Sequence, residues 1–264
     1  MHRLRKYLMA YRLALSKALV YRTNLLLGAI NVLIWFGTLI LLYRSLGGAI
    51  GGYSTAELVT YILGTSLLAA TLFTNVMDQM ADEIVEGDLV NYLLRPINYF
   101  YYWIARGAAV RSVLLVIAFG EIVLLSLTVS DDVLLQTNPM VLLQTAVLCL
   151  GSLAMITCFD FIAAALSFWT ERGFGPRWLF MICTRFLSGA ALPIALMPHW
   201  AQTIFYATPF PSLIASPVES YLGHLSPSTF LLTLLTQWSW IAVSLIVLTV
   251  LWRKGTKSYV AYGS

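Results

Sequence analysis

Stretches of about 20 residues with almost no charge, each closed by a short polar break, constrain this chain more than any other feature. They fall at 25–43, 56–77, 106–129, 140–168, 178–192 and 230–252. A run of that length crosses the hydrocarbon core of a bilayer as a helix, because a helix satisfies its own backbone hydrogen bonds where no water is available. The expected fold class is therefore an all-α membrane protein, a single transmembrane domain over residues 1–264 with six spanning helices. Composition agrees. Hydrophobic residues make up 59%, charged residues 11%, and the mean hydropathy is +0.81, which leaves too little charge to cover a soluble domain. A long basic segment precedes the first apolar run, so a cleaved signal peptide is not expected.

The segments between the spans carry the information about function. Residues 1–23 place Leu4, Tyr7, Leu8, Tyr11, Leu15, Ala18 and Leu19 at the spacing of one helical face. Arg3, Arg5, Lys6, Arg12 and Lys17 flank that face, which suits a helix lying on anionic lipid and not one binding nucleic acid. Between the second and third spans, Asp78, Asp82, Glu83, Glu86 and Asp88 place five of the chain's twelve acids within one short stretch. Gly87–Asp88 reads as a break followed by an N-cap. Leu89, Val90, Leu93 and Leu94 then line one side of a short helix, Arg95 suits its C-terminal dipole, and Pro96 stops it. Two readings fit this stretch: a solvated loop, or a docking element for a soluble partner. Tyr99, Tyr101, Tyr102 and Trp103 read as an aromatic belt at the membrane surface. Residues 193–227 hold six of the nine prolines and are expected to form short re-entrant helices before the last span, one of them opened by Pro198.

The cations set the topology. With the N-terminus inside, Arg95, Arg106, Arg172, Arg177, Arg253, Lys254 and Lys257 join the basic N-terminal segment in the cytoplasm, and Arg44 is the one loop cation left outside. Both termini and the acidic hairpin then face the cytoplasm, and the proline-rich region faces out. Four charges remain within the spans: Arg111, Glu121, Asp160 and Arg185. Each needs a partner or water. Counting depth along the helices suggests Asp160 pairs with Arg185, with Arg111 as the competitor. Such a pair fixes packing or lines a cavity.

The chemistry of catalysis is missing from the sequence. It contains no G-x-x-x-x-G-K-[ST], no H-E-x-x-H and no G-x-S-x-G. His2, His199 and His224 are scattered and read as interfacial polar residues. Cys149, Cys158 and Cys183 read as small core residues. No catalytic, cofactor-binding or metal-binding residue is expected.

Three stretches together resemble the permease subunits of ABC transporters of the ABC-2 type, in the branch of roughly 260-residue, six-span bacterial proteins. They are EIVEGDLVNYLLRPI (83–97), SGAALPIALMPHWAQTIFYATPFPSLIASPVESYLG (188–223) and GTKSYVAYG (255–263). The resemblance implies an exporter in the bacterial inner membrane. Its pathway forms with a second permease chain, identical or homologous, and is driven by separate cytoplasmic ATPase subunits that hold the ATP and magnesium. It also implies a coupling helix at 82–97, in which Glu83, Glu86, Gly87, Asp88, Leu89, Tyr92, Leu93, Leu94, Arg95 and Pro96 meet the ATPase. An extracellular gate would include Pro193, Pro198, Trp200, Pro209 and Phe210. The rival readings are an ion-coupled secondary transporter, an intramembrane enzyme and a non-transporting scaffold. The first would show matched helix breaks in two halves, which the sequence lacks. The second would need clustered His, Asp or Glu in the spans.

Overall fold

The computed structural model describes residues 2–20, 22–46, 51–74, 76–128, 133–170, 174–190 and 192–259. The expected span end at Asp131–Asp132, residues 47–50 of the glycine turn, 171–173 of the fourth-to-fifth connection and the tail beyond residue 259 lie outside them.

The described residues form helices and connecting turns, without a β-strand. In chain order the helices are α1 (His2–Val20), α2 (Arg22–Leu46), α3 (Thr55–Leu72), α4 (Val76–Val85), α5 (Leu89–Leu93), α6 (Tyr99–Thr128), α7 (Pro139–Ala165), α8 (Phe174–Leu187), α9 (His199–Tyr206), α10 (Ala215–Tyr221) and α11 (Pro227–Ser258). Five apolar stretches are long enough to cross a membrane: Leu25–Ser45, Thr55–Val85, Tyr99–Leu127, Pro139–Phe168 and Pro227–Ser258. The second is α3 and α4 in succession, broken at Phe73–Thr74.

Three of these stretches begin with a side-chain cap. Ser54 accepts from the Glu57 amide while Glu57 reaches back to the Ser54 amide, a reciprocal capping box. Asn138 accepts from the Met140 amide, and Ser226 from the Thr229 amide, each followed by proline at the first helical position. Each cap satisfies amides that a helix start leaves orphaned.

The expected fifth span, 178–192, is shorter than its apolar run. Helix α8 stops at Leu187, because the chain turns at Ser188–Gly189. Gly189 holds φ at +77°, a left-handed value that suits glycine. A Cβ there would also press on the Tyr61 hydroxyl and on Ala215. The turn is tied down on both sides, with Tyr61 Oη donating to the Gly189 carbonyl (2.8 Å) and the Ala215 amide donating to the Ser188 carbonyl (3.0 Å).

Among the described residues, the three largest core clusters succeed one another along the bundle. Phe36, Ile40, Tyr43, Leu58, Ile62 and Leu125 pack α2, α3 and α6 at one end. Tyr61, Met155, Phe159, Leu213, Ile214 and Ile241 fill the middle, where the re-entrant segment plugs between α3, α7 and α11. Met80, Ile84, Leu89, Tyr99, Trp103, Phe161 and Leu248 close the other end. One buried amide fastens the re-entrant segment. Gln237 Nε2 donates to the Ser212 carbonyl (2.9 Å) and the Leu148 carbonyl (3.1 Å), and Ser152 Oγ donates to the Ser212 carbonyl (2.9 Å). In an apolar surround such cross-helix hydrogen bonds hold helices in register.

Helix α1 packs along α6. Its inward side is Tyr7, Ala10, Tyr11 and Ala14, while Leu8, Met9, Leu13, Leu19 and Val20 stay exposed. The apolar face read from the sequence is thus divided between a protein contact and the surround.

Candidate functional site

The hairpin joining α4 to α6 is built around one carboxylate. Tyr99, Trp103 and Arg106 sit at i, i+4 and i+7 on α6, so their donors line up on one face. Glu83, on the last turn of α4, meets that face. Its Oε2 accepts from Trp103 Nε1 (3.0 Å) and Tyr99 Oη (3.1 Å), and its Oε1 accepts from Tyr92 Oη (3.1 Å) and pairs with Arg106 (3.2 Å). Arg106 also donates to Gln79 Oε1 (3.1 Å) and lies 4.1 Å from the Trp103 ring centroid. Glu83 therefore has charge-assisted partners on every side, the condition under which burying an ion is tolerated. Burial first, then the neighbouring Tyr102 hydroxyl and Glu83, raise the Tyr92 hydroxyl above its ordinary range and keep it a donor.

The turn after Glu83 depends on Gly87, whose φ is +89°. Asp88 does not cap α5 as the sequence suggested. It has helical dihedrals, makes no side-chain cap, and accepts from Asn91 Nδ2 (3.3 Å) instead. Helix α5 is a single turn, so the local Asp–Asn contact competes with capping. The leucines do not share one side either. Leu89 is wholly buried among Met80, Ile84 and Trp103, whereas Leu93 and Leu94 are 53% and 81% exposed. Around those two leucines, Asp82, Glu86, Asp88, Arg95 and Pro96 are also exposed.

Both ends of the chain grip this hairpin. Lys6 donates to the Pro96 carbonyl, and the Asn98 amide donates to Tyr7 Oη (3.2 Å). Tyr259, just past α11, donates to the Ile84 carbonyl (3.0 Å), and its ring packs edge-on to Phe168. The aromatic belt read from the sequence is mostly inside this assembly. Tyr99 and Trp103 are buried, Tyr102 is half-buried, and Tyr101 faces out. The hairpin is thus a stiff stem with a bare tip of two leucines among charges.

A family model described as ABC-2 family transporter protein matches residues 29–263, nearly the whole chain. This chain belongs to the ABC-2 transporter family. No curated protein and no solved structure matches it. Membership makes it the membrane component of a transport system whose members work with ATP-binding subunits.

In this ABC-2 protein the charges within the bundle pair differently from the depth count. Asp160 Oδ2 meets Arg111 at 2.8 Å; Asp160 is buried and Arg111 half-buried. Arg185 is not the partner. Its guanidinium lies 5.1 Å from the Phe73 ring centroid instead. An arginine is long enough to bridge a difference of a helical turn, so helix orientation, not depth, selects the partner. Glu121 is buried and has no hydrogen bond or ion pair among the described residues.

The proposed gate residues divide between core and surface. Pro193 is buried, Pro198 precedes α9, and Trp200 is 69% exposed. Pro209 precedes the 3-10 turn Phe210–Leu213, and the Phe210 ring packs against Phe159 and Phe180.

Sequence reasoning missed a polar clasp at the end opposite the hairpin. His224 Nδ1 meets Glu219 Oε2 (2.7 Å), and its Nε2 meets Glu57 Oε1 (3.0 Å). Tyr53 Oη donates to Glu219 Oε1 (2.6 Å). The four residues come from two segments far apart in sequence, Tyr53 with Glu57 and Glu219 with His224, and the helix-start signal Ser54–Glu57 was the only local cue. Burial alone would lower the His224 pKa, but the two carboxylates outweigh it and raise it above 6.5. The folded state therefore holds this proton more tightly than the unfolded state does. The resulting stability is fully present below pH 6.5 and is lost as pH rises through the raised value. We expect the melting temperature of the purified protein to fall from pH 6 towards pH 9 by a component that is absent in His224→Gln, a range set about the ordinary histidine pKa. A profile identical in the two proteins would count against the clasp.

Proposed function

We propose that this chain is the permease subunit of an ATP-driven exporter, and that the exposed hairpin tip is where its ATPase engages. The observation that carries the reading is the stem built on Glu83, which presents Leu93, Leu94 and Arg95 bare at one end of the bundle. A docking element needs an apolar anchor on a rigid support, because mobile side chains lose entropy on binding. Family membership supports an ATP-binding partner, and the chain's own sequence has no phosphate loop to replace one.

On this reading the six expected spans are retained, with α8 as the fifth. Its 14 residues reach roughly 21 Å, and the pinned turn at Ser188–Gly189 and the re-entrant segment cover the remaining depth. An even number of crossings fits cation placement that puts both termini and the hairpin in the cytoplasm of a bacterial inner membrane. Helix α1 stands at the lipid headgroups while bracing the stem. The residues assigned to coupling are Glu86, Gly87, Asp88, Leu93, Leu94, Arg95 and Pro96 at the tip, with Glu83, Leu89 and Tyr92 holding the tip in shape. A second permease chain completes the pathway, and Pro193–Phe210 closes its outer side.

The test is co-purification of a nucleotide-hydrolysing subunit with the affinity-tagged permease. Leu93→Ser with Leu94→Ser should remove that subunit while leaving the melting temperature of the permease within a few degrees, since neither side chain supports the core. Retention of the ATPase by the double variant would move the docking surface elsewhere.

A further inference from the structure

A cavity of about 570 Å³ opens between α2, α3, α6 and α8. That is the size of a small-molecule site. Trp35, Phe36, Phe73 and Phe186 supply most of its aromatic wall, with Ser66 and Asn31 among the few polar groups. Two ionisable side chains also line it, Glu121 and Arg185.

These two are placed differently. Glu121 is 7% exposed, on α6, and its carboxylate has no hydrogen bond or ion pair among the described residues. Asp160, the other buried acid of the bundle, has Arg111 as its counter-charge. Arg185 is exposed, on α8, and already rests on the Phe73 ring. No ion pair joins Glu121 to Arg185, although both line the same space. A carboxylate in an apolar wall, lacking a partner from its own chain, is costly as an ion unless it takes up a proton or something brings a positive charge to it. Such buried, unpaired acids inside a membrane mark binding sites more often than packing.

We infer that this cavity binds an amphiphilic organic cation, with the positive group held against Glu121 and the apolar body along Trp35, Phe36, Phe73 and Phe186. That such a cation is also the transported class rests on the permease reading above; the binding itself does not. Aromatic faces add to the selection, because their negative quadrupoles favour cations. Arg185, exposed on α8 and lining the same space, disfavours a second cation.

The experiment uses two probes of nearly equal shape and opposite sign, tetraphenylphosphonium and tetraphenylborate. Each is measured by equilibrium dialysis against the purified full chain in maltoside micelles, with empty micelles subtracted. No ATPase or nucleotide is present, so failure here is distinct from failure of the docking test. The expected result is saturable tetraphenylphosphonium binding, at one site per chain, weakened at least about tenfold in Glu121→Gln. Glu121→Asp should retain most of it. Tetraphenylborate binding should not fall in Glu121→Gln, and the melting temperature of that variant should match the parent, which separates charge recognition from a structural role. Absence of saturable cation binding would assign the cavity to lipid chains or a helix of a second copy and overturn the inference. Equal loss of both ions in Glu121→Gln, or no change for either, would overturn it as well.

Discussion

Glu83→Ala is expected to destabilise the protein by about 3 kcal/mol, the lower end of the cost of breaking a buried charge pair, because Arg106 and Glu83 keep 17% and 16% of their side-chain surface exposed. Arg106 is left without its carboxylate, and Tyr92, Tyr99 and Trp103 lose their shared acceptor. Because the stem then has no centre, the ATPase should also fail to co-purify, although Glu83 itself is turned inward. Unfolding in mixed detergent–denaturant micelles measures the first effect and co-purification the second. Glu83→Gln keeps an acceptor and the shape, so it should fall between the parent and the alanine variant. If Glu83→Ala lay within about 0.5 kcal/mol of the parent, as ordinary surface changes do, the hub would have no energetic meaning.

Asp160→Ala is the second large effect, expected to prevent accumulation of folded protein. It leaves Arg111 charged among apolar helices, and the Nε of that arginine is already buried without a partner. A pair like this is a poor source of net stability, since removing two ions from water costs as much as their attraction returns. Breaking it is another matter. Asp160→Leu combined with Arg111→Leu should therefore restore folding that either single variant loses. The measurement is the yield of monodisperse protein in size-exclusion chromatography. Folding restored instead by exchanging the charges of Asp160 and Arg185 would contradict the pairing seen here.

Much of the architecture was legible in the apolar runs, because length and lack of charge leave a membrane helix few alternatives. The exceptions have physical causes. The run 178–192 looked like one unbroken helix, but hydropathy does not register a turn made by Ser188–Gly189 and caught by Tyr61. The partner of Asp160 was misread because depth ignores which face of a helix an arginine occupies. Among the five clustered acids, nothing in the local pattern singles out Glu83. The cue lay 16 to 23 residues further on, in the stripe of Tyr99, Trp103 and Arg106, and aromatic residues near a membrane surface are more readily taken for interfacial anchors. Residues drawn from remote segments, such as Tyr53, Glu57, Glu219 and His224, leave no periodic trace at all.

The grip of Lys6, Tyr7 and Tyr259 on the hairpin has a mechanical consequence. A push at Leu94 cannot be absorbed by a slack loop, because the first and last helices are coupled to the same knuckle. On the docking reading, load applied there would reach α1, α4, α6 and α11 together instead of a single helix.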